Sequence, residues 1–317
     1  MQFNLFPHSP NVDFMRLRWV STTLSVLLLV VAIGAMATKG FNFALDFTGG
    51  VGVELRYDKA PDVDDVRASL EKAGFDSAVV QTFGAGTDLL VRLQAPKKGG
   101  STGTDTESIG DAVAKAASLP GNAAEKRSSA EISPQVGKEL AQNGIYAMLF
   151  VVIGFLAYIS FRFEWKFAVA AIIATLHDVV VVAGWFAFSG HEFDLTVLAG
   201  VMSVMGYSIN DTIVVFDRVR ENFRGMRASP REILNASVNQ TLSRTVITSF
   251  VAFLTVIALY LYGGGSLQGM AESQMMGIII GTLSSIFVAC PLLLWFGVSK
   301  QDLMPKARDD AALARRP

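Results

Sequence analysis

The sequence LTVLAGVMSVMGYSINDTIVVF fills residues 195–216 and contains one formally charged side chain, Asp211. A helix needs roughly 20 mainly apolar residues to cross the hydrocarbon core of a bilayer, which is about 30 Å thick. We therefore interpret 195–216 as a membrane-spanning helix that carries a carboxyl group. The composition agrees: of 317 residues, 51% are hydrophobic and 17% charged, with a mean hydropathy of +0.41, whereas soluble domains contain about 25% charged residues.

Five further segments are long and apolar enough to cross a membrane. The six predicted spans cover residues 19–38, 140–161, 167–190, 195–216, 245–262 and 273–297. The first span contains Ala35-Met36-Ala37, which resembles a signal-peptidase site. A cleaved signal has an apolar region of about 7–15 residues, and this run is longer, so we expect an uncleaved anchor.

Lys and Arg residues are distributed asymmetrically among the connections. They are frequent in residues 1–18, 217–244 and 298–317, whereas the short connections 190–194 and 263–272 contain none. Short loops rich in Lys and Arg remain in the cytoplasm. We therefore predict a cytoplasmic N-terminus, a cytoplasmic loop over 217–244 and a cytoplasmic tail over 298–317.

Residues 39–138 then form one large connection on the opposite, periplasmic side. Strand-like and helix-like segments follow one another there in the order β-α-β-β-α-β, from about 51–57 to 128–132. This order is typical of a small ferredoxin-like α+β domain. Ser133 and Pro134 are suited to the start of a helix that continues into the second span. The predicted fold is a polytopic α-helical membrane protein with six spans and this small periplasmic domain between the first and second.

Three ionisable residues in the predicted spans or at their edges are candidates for function. An ionised side chain at the bilayer centre costs at least about 2.5–3.5 kcal/mol, so it faces a partner, a cavity or a pathway. Asp211 in the fourth span, Arg244 at the start of the fifth and Asp178 in the third occupy overlapping depths. A carboxyl near a guanidinium can alternate between a protonated and an ion-paired state, as a proton relay requires.

Simpler explanations exist for the same residues. Asp211 and Arg244 could form a structural ion pair between two helices, and neighbouring His177 could satisfy Asp178 locally. Asp217 lies beside Arg218 at the end of a span, where a solvated interfacial charge is expected.

The sequence also argues against several classes of protein. It lacks the phosphate-binding Gly-x-x-x-x-Gly-Lys-Ser/Thr loop and the His-Glu-x-x-His motif of metalloproteases. One cysteine and three scattered histidines do not predict a metal site, and a net charge of −1 does not favour nucleic acid. We expect no enzymatic or ATPase activity, no cofactor and no metal. The membrane gradient is then the natural energy source.

Three motifs resemble those of the SecD/SecF family of bacterial protein-export membrane proteins, within the RND superfamily. They are the LDFTGG of residues 45–50, the VMGYSINDTIVVFDRVREN of residues 204–222 and the QTLSRTVITS of residues 240–249. The six-span plan with one large first connection resembles the SecF branch, since SecD is longer. The family motif residues that match are Asp46, Phe47, Thr48, Gly49, Gly50 and Asn210.

This resemblance implies a half-transporter that pairs with SecD and works beside the SecYEG channel, with YajC as an accessory partner. It implies location in the bacterial inner membrane and promotion of preprotein export by the proton gradient. The resemblance assigns the proton pathway to Asp211 and Arg244, together with an Asp from SecD, and our own reading adds Asp178. Contacts with unfolded preprotein and with lipids follow, and sodium is the less favoured coupling ion.

Two functional alternatives remain: a non-transporting scaffold of the translocon, and an RND-like small-molecule exporter. The pair Gly49-Gly50 fits either a hinge or a simple turn. Two rows of small residues predict close helix packing. They are Ala199, Ser203, Gly206 and Asn210 in the fourth span, and Gly277, Gly281 and Ser285 in the sixth.

Overall fold

The computed structural model describes residues 11–75, 78–83, 86–93 and 103–303. Within these residues, six helices are long and apolar enough to cross a membrane. They are α1 (Arg18–Thr38), α5 (Pro134–Arg162), α6 (Trp165–Ser189), α7 (Leu195–Gly225), α8 (Pro230–Tyr262) and α9 (Gly265–Ser284), which continues through a π-helical turn (Ser285–Ala289) into α10 (Cys290–Trp295). The predicted fold class of a polytopic helical membrane protein is confirmed.

The small domain between α1 and α5 has the predicted β-α-β-β-α-β order. Its elements are β2 (Gly50–Arg56), α3 (Val63–Lys72), β3 (Val79–Phe83), β4 (Asp88–Leu93), α4 (Gly103–Ala117) and β5 (Glu125–Ile132). The strands form one antiparallel sheet in the order β3-β4-β2-β5. Alternate residues of β2, Val53 and Leu55, pack with Val66 and Leu70 of α3 into a separate hydrophobic core. The ferredoxin-like prediction is confirmed.

Two short elements join this domain to the helices. Strand β1 (Asn42–Phe43) follows α1 and pairs in parallel with β6 (Glu192–Phe193), which lies between α6 and α7. The single-turn helix α2 (Leu45–Thr48) lies between β1 and β2 and packs on α5. The 45–50 motif therefore lies at the junction between the domain and the bundle.

The cytoplasmic loop predicted over 217–244 is largely helical. Helix α7 continues to Gly225, and α8 begins at Pro230, so only 226–229 interrupts them. Ser229 accepts a hydrogen bond from the Glu232 backbone N–H, and the Glu232 carboxylate accepts one from the Ser229 N–H. This capping box starts α8. Charged residues end an apolar run without ending a helix, which is why α7 and α8 extend beyond the apolar runs.

Helices α6, α7 and α9 form the buried centre of the bundle, and α1, α5 and α8 surround them with largely exposed apolar faces. The small-residue row of the sixth span packs as expected: Gly277 lies against Val204 and Gly281 against Ser208. The row predicted for the fourth span does not. Ala199, Ser203 and Asn210 are exposed, because α7 turns Gly200, Val204 and Ser208 toward α9 instead.

Candidate functional site

Asp178 is buried at the centre of the bundle, on α6, and is completely covered. Its Oδ2 accepts hydrogen bonds from the hydroxyl of Ser208 on α7, at 2.5 Å, and from that of Ser284 on α9, at 2.6 Å. Its Oδ1 lies 2.9 Å from Nδ1 of His177. The local partner expected from sequence is present, and two hydroxyls from other helices are added to it. Three central helices therefore meet at this carboxyl.

Asp211 is the second buried carboxyl, on α7, and is 5% exposed. Its Oδ1 accepts a hydrogen bond from the Thr245 hydroxyl of α8 at 3.1 Å, and its Oδ2 accepts one from the Ser285 hydroxyl at 3.2 Å. Both donors are neutral. The charge of an ionised Asp211 is therefore held by hydroxyl dipoles in a site from which water is largely excluded.

The two carboxyls are linked through the last helix. Ser284, the final residue of α9, contacts Asp178, and the next residue, Ser285, contacts Asp211. Ser285 also begins the π turn. We call Asp178, Asp211, Ser208, Ser284, Ser285 and Thr245 the carboxylate cluster.

Arg244 does not form the direct ion pair with Asp211 that we expected. Its side chain is exposed, and none of the salt bridges among the described residues includes it. Its charge still acts on Asp211 across a longer distance. The reason is helical phase: Thr245 faces the cluster, and the preceding residue points away from it. Asp217, by contrast, is half-exposed and pairs with Arg162 at 2.7 Å.

The 45–50 motif holds the other end of α7. The Asp46 carboxylate accepts a hydrogen bond at 3.2 Å from the backbone N–H of Leu195, the first residue of α7. Thr48 donates to the carbonyl of Ala44, and the Phe47 ring lies 6.3 Å from that of Phe193. The motif residue Asn210 lies elsewhere, exposed on α7.

Carboxylates line a cavity of about 730 Å³ between the domain and the bundle. Burial raises the pKa of Glu192, the nearby Arg92 guanidinium opposes this, and the charges of Asp194 and Asp46 add to it. Burial also raises the pKa of Asp194, against hydrogen bonds from Val197 and Thr196. The start of α7 is therefore a place where carboxyls bind protons more readily than they do in water.

Sequence reasoning missed the uncharged members of the cluster. Ser208, Ser284 and Thr245 are ordinary residues in apolar spans, where hydroxyls commonly bond to their own helix. Their signal was weak: Ser285 ended a small-residue row, and Ser208 lay inside the motif around Asp211. Among the described residues, no three His, Cys, Asp or Glu side chains converge to hold a metal ion. The cluster contains two carboxyls and four hydroxyls that donate hydrogen bonds to them.

Fold and site together define a multi-pass membrane protein whose central helices enclose paired carboxyls and whose small α+β domain is tied to the start of one of those helices. The chain belongs to the SecD/SecF family. Residues 112–299 match the region described as "Protein export membrane protein SecD/SecF, C-terminal", and residues 34–61 match the "SecD/SecF GG Motif".

Similar proteins extend this assignment over the length of the chain. It is 43% identical to a protein translocase subunit SecF from Pseudomonas aeruginosa, over 95% of this chain and 96% of that protein. It is 41% identical to the SecF subunit of Vibrio alginolyticus, over 96% and 95%. The crystal structure of SecDF from Thermus thermophilus, a translocon-associated membrane protein, has a TM-score of 0.82 at 36% identity. It is matched over 92% of this chain but 40% of that one, so this chain spans less than half of the SecDF polypeptide.

Proposed function

We propose that this chain is the SecF-type subunit of a Sec translocase, and that with SecD it uses the proton gradient to promote preprotein export across the bacterial inner membrane. Both termini are then cytoplasmic, the small domain faces the periplasm, and SecYEG with YajC is the neighbouring machinery. Likeness to SecF subunits along nearly their whole length supports the role. It includes no ATP hydrolysis, since the energy comes from the gradient.

Polar residues on the outer face of the bundle support the pairing with SecD. Asn210 of α7 and Arg244 and Thr248 of α8 are exposed within membrane-spanning segments. A charged side chain that faces lipid inside a span is unfavourable, whereas a second helical bundle with polar groups would satisfy it. The single-chain SecDF has more than half of its length beyond the matched part, enough for such a bundle.

The observation that carries ion coupling is the pair of buried carboxyls with neutral donors. Asp178 and Asp211 are 0% and 5% exposed, and hydroxyls serve three of their four oxygens. Two like charges this deeply buried disfavour simultaneous ionisation, so a proton is the natural counter-charge. Sodium is less favoured, because the positive charge of Arg244 acts on Asp211 and disfavours a second cation there.

A path for the coupled movement runs along α7. Asp211 lies within this helix, and Asp46 holds its first backbone N–H. A shift of α7 on protonation of Asp211 therefore reaches the junction, and through β2 the small domain. This is how a local change of charge would become a movement that acts on preprotein.

The test is preprotein export into inverted membrane vesicles that contain this chain, SecD and SecYEG, with and without an imposed proton gradient. Asp211→Asn removes the exchangeable proton at constant size. We expect the gradient-dependent part of the export rate to fall at least about tenfold, because a step that requires a change of charge at residue 211 is lost. Asp217→Asn, an acid on the same helix paired at the surface with Arg162, is the matched control and should keep most of its activity.

The alternatives predict different results. A scaffold would give the same export in Asp211→Asn as in wild type, with the gradient response intact. A small-molecule exporter would leave preprotein export independent of this chain. Either result would refute the proposed coupling, provided that the variant is present in the membrane and still copurifies with SecD.

A further inference from the structure

Ser284 and Ser285 each have two acceptors within reach but only one hydroxyl proton. Ser284 Oγ lies 2.6 Å from Asp178 Oδ2 and 3.2 Å from the carbonyl oxygen of Gly281. Ser285 Oγ lies 3.2 Å from Asp211 Oδ2 and 3.0 Å from the carbonyl oxygen of Thr282. A serine hydroxyl donates one hydrogen bond. Ser284 is thus oriented to its carboxyl, whereas Ser285 is closer to its own helix.

These distances distinguish the two acids. Hydroxyl bonds to an ionised carboxylate are about 2.5–2.7 Å long. Both hydroxyl bonds of Asp178 fall in this range, at 2.5 and 2.6 Å, and both of Asp211 are longer, at 3.1 and 3.2 Å. Asp178 is therefore held more tightly by its hydroxyl donors than Asp211 is by its own.

The π turn makes the double contact geometrically consistent. Successive residues of a helix point about 100° apart, so adjacent serines can address carboxyls on two different helices, α6 and α7. The π turn changes the backbone pairing from Ser285 onward, and the Cys290 thiol donates to the Ser285 carbonyl at 3.4 Å. Such turns are frequent at functional sites.

We propose that Ser284 and Ser285 are positioning residues that couple Asp211, where the proton exchanges, to the more tightly bound carboxyl of Asp178. The proposal deepens the proposed function and rests on it for its biological meaning. When Asp211 loses its proton, Ser285 turns from the Thr282 carbonyl to the carboxylate. The adjoining Ser284 then moves relative to Asp178, so the last helix moves when Asp211 loses its proton.

Other titratable groups near the cluster are few. On α6, α7, α8 and α10 they are His177, Tyr207, Arg244 and Cys290. The 19–38 segment of α1 contains no charged residue, and the tyrosines of the α5 span, Tyr146 and Tyr158, are exposed. His177 contacts Asp178 directly, and Arg244 contributes a more distant positive charge. A measurement of the coupling should therefore follow the carboxyl groups of Asp178 and Asp211 themselves.

Infrared titration of the purified full chain tests the coupling without any export assay. The carboxyl band of Asp211 is assigned as the one that disappears in Asp211→Asn. Ser285→Ala removes a donor from Asp211, and its titration midpoint should rise. Ser284→Ala removes a hydroxyl donor from Asp178 and so disfavours negative charge beside Asp211, whose midpoint should fall. Shifts of about one pH unit are expected for coupled sites.

If the substitutions only loosened the packing, water would enter and the Asp211 midpoint would shift in the same direction in both variants. Opposite shifts therefore distinguish coupling from loosening. Ser284→Thr and Ser285→Thr retain a hydroxyl and should keep the wild-type midpoint, as should Ser160→Ala, an exposed serine of α5. An unchanged midpoint in Ser284→Ala, shifts of equal sign, or no titrating Asp211 band would overturn the proposal. If coupling is found but export ignores the gradient, only the proposed function fails.

Discussion

Gly50 begins strand β2 and is tightly packed in the sheet of the small domain. Its φ is +134°, and a β-carbon there would collide with the carbonyl oxygen of Leu93. Gly50 already pairs with Ile132 in the ladder, and Gly49 before it has a φ of +69°. Gly49-Gly50 could be a hinge or a turn, and the structure shows a tightly packed turn.

Gly50→Ala should therefore destabilise the protein through both backbone strain and steric overlap. A positive φ costs a non-glycine residue about 1–2 kcal/mol, and displacement of the β4 backbone adds to this. Gly74→Ala is the matched control, since its φ is +91° with nothing within 4 Å of the added carbon. Thermal unfolding in detergent should give a clearly larger loss for Gly50→Ala. Equal losses would contradict the packing explanation.

At the same scale, the sequence revealed the acids of the site but not their partners. Asp178 and Asp211 stand out because charge is rare in an apolar run. Ser208 and Ser284 do not, because a serine in a span bonds as readily to its own helix. The pairing of Asp211 with Arg244 was wrong as a direct contact, since facing depends on helical phase and packing rather than on depth alone.

Among the elements, α7 is the helix with hydrogen-bonded carboxyls near both ends of its span. Asp194 caps its first turn by accepting from Val197 N–H, and Asp46 accepts from Leu195 N–H. Carboxylates are stabilised at a helix N-terminus by the free N–H groups and the helix dipole. Burial nevertheless dominates at Asp194 and raises its pKa.

This gives α7 a stability that depends on pH. Because the folded pKa of Asp194 is raised, the folded state binds the proton more tightly, and the free energy of unfolding increases as pH falls through that pKa. Asp194→Asn keeps an N-cap but does not titrate. We expect the gain in melting temperature on acidification from neutral pH to be smaller in Asp194→Asn than in wild type.

The control is Asp62→Asn, which alters the exposed N-cap of α3. It should retain the wild-type pH profile. A profile in Asp194→Asn as steep as that of wild type would assign the effect to other groups, first of all Glu192.

Hydropathy located all six spans, because a membrane imposes length and composition. It did not predict that α7 and α8 extend beyond the apolar runs, since that depends on local caps such as Ser229 with Glu232. Nor did it predict the π turn, which packs against α6 and α7.

For the whole molecule, the decisive contacts join residues far apart in the chain. Arg92 of the domain is 6% exposed. Its Nη1 donates to the Phe43 carbonyl at 2.8 Å, its Nη2 donates to Asn42 Oδ1 at 2.9 Å, and it pairs with Glu192 at 3.0 Å. One side chain thus ties the sheet to both strands of the β1–β6 pair. Sequence periodicity carries no signal for such contacts, so the domain was predicted but its attachment was not.

Arg92→Lys tests whether this joint holds the domain to the bundle. Lysine keeps the charge but lacks the planar fork that reaches three partners. Loss of one charged hydrogen bond costs about 2 kcal/mol, so amide exchange in 42–43 and 192–193 should accelerate roughly 30-fold if these strands open locally. Strand β2 should remain protected, because its core is separate.

Arg56→Lys is the matched control, since Arg56 pairs with Asp88 inside the domain and should leave exchange at β1 and β6 unchanged. Faster exchange throughout the domain in Arg92→Lys would mean that Arg92 stabilises the fold rather than the joint. Wild-type exchange at β1 and β6 would mean that the aromatic contacts of Phe43 and Phe47 with Phe193 suffice. In that case the aromatic rings, and not the ion pair of Arg92, would connect α7 to the domain.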